Sequence, residues 1–183
     1  MKNKKVLILN GSPRKDGNTE QLVRFFKNGC IDSGKIVIQF DIYNMAINPC
    51  IGCMQGGKSI EQPCMQKDDM TDIYNAFIKS DIVCFSSPVY FWSVCGPLKT
   101  VIDRLYAFKE CDGKLKMPYK KTVLLMAAGG KRVNHVETWF EALNSYLGWN
   151  LKGCIICKNR LKAGEIDGAV ELEEAYRLGI ELE

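Results

Sequence analysis

The chain has 183 residues, 46% of them apolar and 25% charged, which suits an ordinary globular domain and excludes fibrous or disordered classes. No apolar run approaches the ~20 residues of a membrane helix, and the basic start Met1–Lys5 precedes an apolar stretch too short for a signal peptide, so a cytoplasmic protein is expected. The net charge of +4 is unevenly spread: residues 165–183 carry seven acids against Arg177 alone, leaving 24 bases and 14 acids elsewhere. That balance suits an anionic ligand such as a nucleotide, whereas no basic–aromatic run points to nucleic acid.

In chain order, Val6–Leu9, Ile36–Phe40, Ile82–Phe85, Val123–Met126 and Cys154–Cys157 are short apolar runs, and the continuity of most of them reads as strands buried on both faces of a parallel sheet. Helical stripes alternate with them. The first carries Leu22, Phe25, Phe26 and Cys30, with Asn18 and Gln21 placed like a capping box. The second follows Asp68 or Asp69 and buries Met70, Ile73 and Phe77. The third opens at Gly96-Pro97 and presents Leu98, Val101, Ile102 and Leu105, with Asp103 and Arg104 expected to pair or cap structurally. The fourth shows Val136, Trp139, Phe140, Leu143 and Leu147. The last, acidic helix turns Leu172, Ala175, Tyr176 and Gly179 inward. This alternation predicts one α/β domain over residues 1–183, with its ligand loops at the carboxyl ends of the strands.

Three such loops carry chemistry. After the first strand, Asn10-Gly11-Ser12-Pro13-Arg14-Lys15-Asp16-Gly17-Asn18-Thr19 runs straight into a helix, whose unpaired N–H groups and the hydroxyls nearby make a phosphate cradle. After the third, Ser86-Ser87-Pro88-Val89-Tyr90-Phe91-Trp92 offers aromatic faces for a flat ring or for an oligomer contact. After the fourth, Ala127-Ala128-Gly129-Gly130 allows close backbone approach, and Lys131 and Arg132 follow. A Walker A string at Gly52-x4-Gly57-Lys58-Ser59 lacks the strand before and the helix after, and reads as coincidence. His135, the one histidine, falls near the start of the fourth helix and reads as a surface or capping residue. Cys154 and Cys157, three apart on a strand, face opposite sides and read as core.

Gly11-Ser12-Pro13-Arg14, Gly17-Asn18-Thr19, Ser87-Pro88-Val89-Tyr90-Phe91 and Leu98-Lys99-x3-Asp103-Arg104 together resemble the NADPH-dependent FMN reductase family over residues 5–130. The resemblance implies a flavodoxin-like three-layer α/β/α sandwich with a five-stranded parallel sheet in the order 2-1-3-4-5. It implies FMN as cofactor, NAD(P)H as co-substrate and chemistry on the flavin rather than on a catalytic side chain. Ser12, Arg14, Gly17, Asn18 and Thr19 would hold the phosphate. Pro88, Val89, Tyr90, Phe91 and Trp92 would meet the ribityl chain and ring, with Gly129 and Gly130 at the ring edge. The acceptor is a small molecule such as a quinone or a flavin, and a homodimer or higher oligomer is expected. An iron–sulfur flavoprotein or a flavodoxin-like electron carrier exchanging electrons with ferredoxin is the alternative.

The connection over residues 42–67 is far longer than the ~12–15 residues at which a loop needs a functional reason. It holds Cys50-x2-Cys53 and Cys64 and resembles the iron–sulfur flavoprotein branch of the family, except that Gly56 stands where that branch has a further cysteine. Three thiols are one short of the four of a [4Fe–4S] cluster, and a zinc site lacks a fourth ligand too. No metal is expected here; the loop reads as a relic, a lid over the flavin, or a thiol–disulfide pair. A distant Cys95 or Cys111 is the candidate for a fourth ligand, but nothing in the sequence places either beside the loop.

Overall fold

A computed structural model describes residues 3–111 and 117–183; Met1 and Lys2 of the basic N-terminus lie outside the described residues. The elements are β1 (Lys5–Asn10), α1 (Asn18–Asp32), β2 (Ile36–Asp41), α2 (Met70–Lys79), β3 (Ile82–Tyr90), β4 (Ser93–Val94), α3 (Gly96–Leu105), α4 (Ala107–Glu110), β5 (Lys121–Ala127), α5 (Asn134–Leu147), β6 (Asn150–Cys157) and α6 (Val170–Glu181). The long strands are all parallel in the order β2-β1-β3-β5-β6, which is the expected 2-1-3-4-5 once the short β4 is set aside. Register is tight at the centre, where Leu9 lies opposite Phe40 on one side and Phe85 on the other.

Alternation along each strand divides the core into two layers. Leu7, Leu9, Phe85 and Leu124 face α2, α3 and α5, where Phe77, Phe140 and Trp149 fill the space. Val6, Ile8, Cys84 and Leu125 face α1 and α6, against Leu22, Phe26, Leu172 and Ala175. Cys154 packs on the first layer and Cys157 in the second, as the spacing predicts. No helix among the described residues is long and apolar enough to cross a membrane.

Several expectations are corrected. Burial on both faces holds for β1, β5 and most of β3 but not for β2, where Ile36 and Ile38 are 46% and 39% exposed. β2 is an edge strand with a neighbour on one side only, which leaves these side chains partly open to solvent. Gly17 is the N-cap of α1, and Asn18 makes no capping bond. Tyr176 is half-exposed and donates its hydroxyl hydrogen bond to Asp32. The third strand continues through Tyr90 and folds back, with Val89 opposite Val94 and Tyr90 opposite Ser93. The aromatic segment is therefore a hairpin, and its two-residue turn is Phe91-Trp92.

Candidate functional site

The loops after β1, β3, β5 and β6 meet at the carboxyl edge of the sheet. Asn10, buried at the end of β1, organises them. Its amide donates to Glu20 and to Asp41 (3.0 Å), and its carbonyl oxygen accepts from the Ser12 N–H and the Ser86 hydroxyl, each at 3.1 Å. Burial raises the pKa of Glu20, with the nearby Asp41 charge adding to the effect. The Arg14 N–H reaches Ser12 Oγ, and the Gly17 N–H closes on the Arg14 carbonyl at 3.1 Å, which curls the loop into the first turn of α1. Gly11 has no room for a side chain, because its Cβ would lie 2.6 Å from Cys95 Sγ. No side chain caps α1, so its leading N–H groups are available to an anion.

These residues wall a cavity of about 150 Å³ with Ser12, Arg14, Gly17, Asn18 and Thr19 on one side and Pro88, Val89, Tyr90 and Gly129 on the other. Ala127, from the small-residue run, completes it with Arg160 and Leu161, two residues that the sequence reading did not select. Arg160 arrives from the loop after β6, beyond the span of the recognised motifs, and its basic charge was the one local signal. Asn18 secures that loop by donating to the Arg160 carbonyl at 3.1 Å and the Lys162 carbonyl at 2.8 Å. Glu165 tightens it, accepting from the Leu161 and Lys162 N–H groups; those bonds lower its carboxyl pKa. Two buried polar atoms here, Asn18 Oδ1 and Arg160 Nε, have no hydrogen-bond partner. Buried polar groups are seldom left so.

Phe91, Trp92 and Gly130 line the adjoining cleft rather than this cavity, together with Lys131, Arg132, Val133 and His135. The cleft measures about 480 Å³, and the successive residues Tyr90 and Phe91, and Gly129 and Gly130, line the cavity and the cleft in turn. Phe91 and Trp92 have φ of 42° and 68°, the left-handed region a two-residue hairpin turn requires and that Asn-Gly ordinarily fills. Aromatic residues there store strain, a feature concentrated at functional sites. Phe91 is 99% exposed, and the Trp92 ring packs on His135 with centroids 4.9 Å apart.

Residues 4–156 match the family model of NADPH-dependent FMN reductases. The chain belongs to that family. An iron–sulfur flavoprotein of Archaeoglobus fulgidus is 31% identical over 174 residues, covering 92% of this chain and 74% of that protein. Another from Methanocaldococcus jannaschii is 34% identical over 142 residues, covering 78% and 70%. Among solved structures, an NAD(P)H:quinone oxidoreductase from Methanothermobacter marburgensis superposes with a TM-score of 0.76 at 17% identity, over 100% of this chain and 97% of that one, which shows the flavodoxin-like fold. As an FMN reductase family member the protein is an oxidoreductase, and the cavity beside the loop after β1 offers donors that suit a phosphate monoester: an uncapped helix start, an unpartnered guanidinium nitrogen and the Ser12 and Thr19 side chains on its wall.

The cysteine connection leaves β2 through a short 3₁₀ turn at Ile42–Asn44 and is clamped at both ends. Asp69 accepts from the Ala46 N–H at 2.7 Å, and Asp68 from the Asn48 N–H at 2.9 Å. Arg104, 1% exposed, donates to the Asn48 carbonyl and makes a two-pronged pair with Asp68 at 2.7 and 3.1 Å. Asp103 instead pairs with Lys99 at 2.6 Å, so Asp103 and Arg104 do not pair with each other as the sequence reading allowed. Burial opposes ionisation of Asp68, but the hydrogen bonds from Arg104 and Asn48 hold its carboxyl below the usual value. Between the clamps, Cys50, Cys53 and Cys64 line one small cavity of about 50 Å³ with Ile51, Met54 and Ala107. No three His, Cys, Asp or Glu side chains among the described residues converge as a single metal ion would need. A cluster spaces its thiolates further apart than one ion does, and three thiols on one cavity match its donor chemistry in part. Residues 57–59 lie in neither strand nor helix, as expected for a chance Walker A string.

Proposed function

We propose that this protein is an FMN-dependent oxidoreductase that takes reducing equivalents from NAD(P)H and passes them to a small acceptor such as a quinone or a flavin. The observation that carries the reading is the partnerless buried donor Arg160 Nε in a cavity built from the start of α1, where the partnerless Asn18 Oδ1 is an acceptor for a ligand hydroxyl. When bound, FMN supplies the redox chemistry, accepting a hydride and passing on two electrons. The chain's residues grip and orient. Ser12, Thr19 and the first-turn N–H groups of α1 hold the phosphate, with Arg14 and Arg160 offsetting its charge. Pro88, Val89 and Tyr90 line the ribityl path, while Phe91, Trp92 and Gly130 border the cleft where the second substrate enters. Lys131 and Arg132 attract the anionic pyridine nucleotide there. The exposed Phe91 suits a homodimer that covers the hairpin.

Anaerobic absorption spectroscopy tests this. Resolved flavin bands that bleach on adding NADPH or NADH are expected. A protein that neither carries nor takes up FMN overturns the reading, and one bleached only by reduced ferredoxin makes it an electron carrier.

A second reading has its own support, since Cys50, Cys53 and Cys64 share one cavity and relatives carry the name iron–sulfur flavoprotein. In that case the loop holds a cluster exchanging electrons with ferredoxin. Iron and acid-labile sulfide in the same anaerobic sample decide it.

A further inference from the structure

The cavity beside the loop after β1 and the cleft beyond it carry separate sets of cations. Arg14 and Arg160 line the cavity, Lys131 and Arg132 line the cleft, and no acidic side chain lines either. The ion pairs among the described residues are Lys99–Asp103, Arg104–Asp68 and Arg177–Glu173. Neither Lys131 nor Arg132 is therefore paired with an acid among the described residues. Phosphate recognition in the reading above uses the cations of the cavity. Those of the cleft are left facing whatever enters it.

The same cleft presents aromatic surface. Trp92 is held at φ of 68° in the turn that β3 and β4 close, and its ring packs on His135 with centroids 4.9 Å apart and planes at 43°. It is nonetheless 59% exposed. A ring fixed in this way, with most of its surface open, offers a face on which a planar guest stacks.

We propose that the electron acceptor of this enzyme is an aromatic compound bearing a negative charge, such as a sulfonated or carboxylated quinone, stacked on Trp92 with its anionic group at Lys131 and Arg132. The inference rests on the oxidoreductase reading above and adds the chemical class of its second substrate. Two cations and an aromatic face in one cleft select a guest with both features. A neutral quinone leaves the charges to water, and a small inorganic anion leaves the ring uncovered. The volume of about 480 Å³ lies in the range of small-molecule sites. NAD(P)H has the same two features, a flat nicotinamide and phosphates, so one cleft serves both substrates in turn. The exchange balances: NAD(P)H gives up a hydride and becomes NAD(P)+. The quinone gains those two electrons with the hydride's proton and one proton from solvent, and leaves as the hydroquinone.

The test is steady-state kinetics of the FMN-loaded full chain at saturating NADPH, with naphthoquinone sulfonate and its uncharged relative menadione as acceptors. Equilibrium dialysis of redox-inert naphthalene sulfonate against the same protein gives binding without turnover. Wild type is compared with the double variant Lys131→Gln, Arg132→Gln and with Trp92→Asn, in which asparagine tolerates the left-handed backbone while the ring is removed. Neutralising the two cations should raise the KM and the dialysis Kd of the sulfonates about threefold to tenfold, the scale of two exposed charge contacts, and leave the menadione KM unchanged. Added salt should shrink the wild-type preference for the sulfonate. Trp92→Asn should raise the KM of both quinones. A sulfonate KM no lower than that of menadione in wild type, or a double variant that raises neither KM or both equally, overturns the proposal. Protein bleached by NADPH that reduces neither quinone overturns this inference alone, and protein that NADPH and NADH fail to bleach overturns the oxidoreductase reading with it.

Discussion

The Asn18 side-chain amide donates to the Arg160 carbonyl at 3.1 Å, joining the first turn of α1 to the loop after β6 across 142 positions of sequence. One residue of the loop after β1 thereby positions the segment that brings Arg160 to the same cavity. Asn18→Asp removes both donors to the β6 loop and adds a negative charge beside the phosphate. FMN affinity should fall at least tenfold, about 1.4 kcal/mol, in a fluorescence-quenching titration. Unchanged affinity would reassign the cradle.

Arg160→Ala separates phosphate recognition from ring recognition. A hydrogen bond to a charged group contributes about 1.5–3 kcal/mol, so FMN binding should weaken by roughly tenfold to a hundredfold. Riboflavin, lacking the phosphate, should bind wild type and variant alike. Equal losses for the two ligands would show that Arg160 acts through folding instead.

The Arg104–Asp68 pair is buried on both sides, at 1% and 4% side-chain exposure. Asp68→Asn leaves the guanidinium without a counter-charge, and breaking such a pair typically costs about 3–5 kcal/mol. Urea unfolding should show that loss, with faster proteolysis within residues 46–67 as the clamp opens. Because the folded pKa of Asp68 is depressed below 3.8, its contribution is present above that value and is lost as the pH falls through the folded pKa. The variant should therefore lack that part of the acid sensitivity.

Lys120 is 3% exposed, with its ammonium on the Ser80 carbonyl at the end of α2 and 5.0 Å over the Phe77 ring. Burial pushes its pKa down to about 8, against the opposing pull of Asp81. The unfolded chain holds that proton until about pH 10.5, so this group makes stability rise between pH 8 and 10.5, by up to about 1.4 kcal/mol per pH unit. Buried thiols act the other way. Burial pushes Cys30 and Cys154 from 9.0 up to about 12, so the stability each contributes is present below pH 9 and lost above it. The sum should fall in alkali, while the difference between wild type and Lys120→Met rises from pH 8 to 10.5. A flat difference would mean that Lys120 titrates normally.

Reversal of both Lys131 and Arg132 to glutamate should raise the KM for NAD(P)H severalfold while leaving FMN content intact. An unchanged KM would remove these side chains from pyridine-nucleotide attraction.

Much of the site was legible because its signals are local. Gly11-Ser12-Pro13-Arg14 and Gly17-Asn18-Thr19 sit between an apolar run and an amphipathic stripe, and a strand–loop–helix junction presents N–H groups wherever it occurs. The aromatic run at Tyr90–Trp92 was visible as composition, but its hairpin form was not. Phe91 and Trp92 adopt positive φ only because β4 pairs with β3, a pairing of two residues too short to leave a pattern.

By itself the sequence determined the five parallel strands, the helices between them and the family, and it marked the loop after β1 as the candidate phosphate cradle. These follow from periodicities and motifs within a few turns of chain, which local sterics and burial enforce. Tertiary structure alone decided that Arg160 completes the cavity, that Arg104 turns from its neighbour Asp103 to Asp68, and that Trp92 packs on His135. Parallel crossovers bring loops far apart in sequence to one edge of the sheet. The partner a charge or ring finds there depends on which long-range contacts exclude water, and no local spacing encodes that.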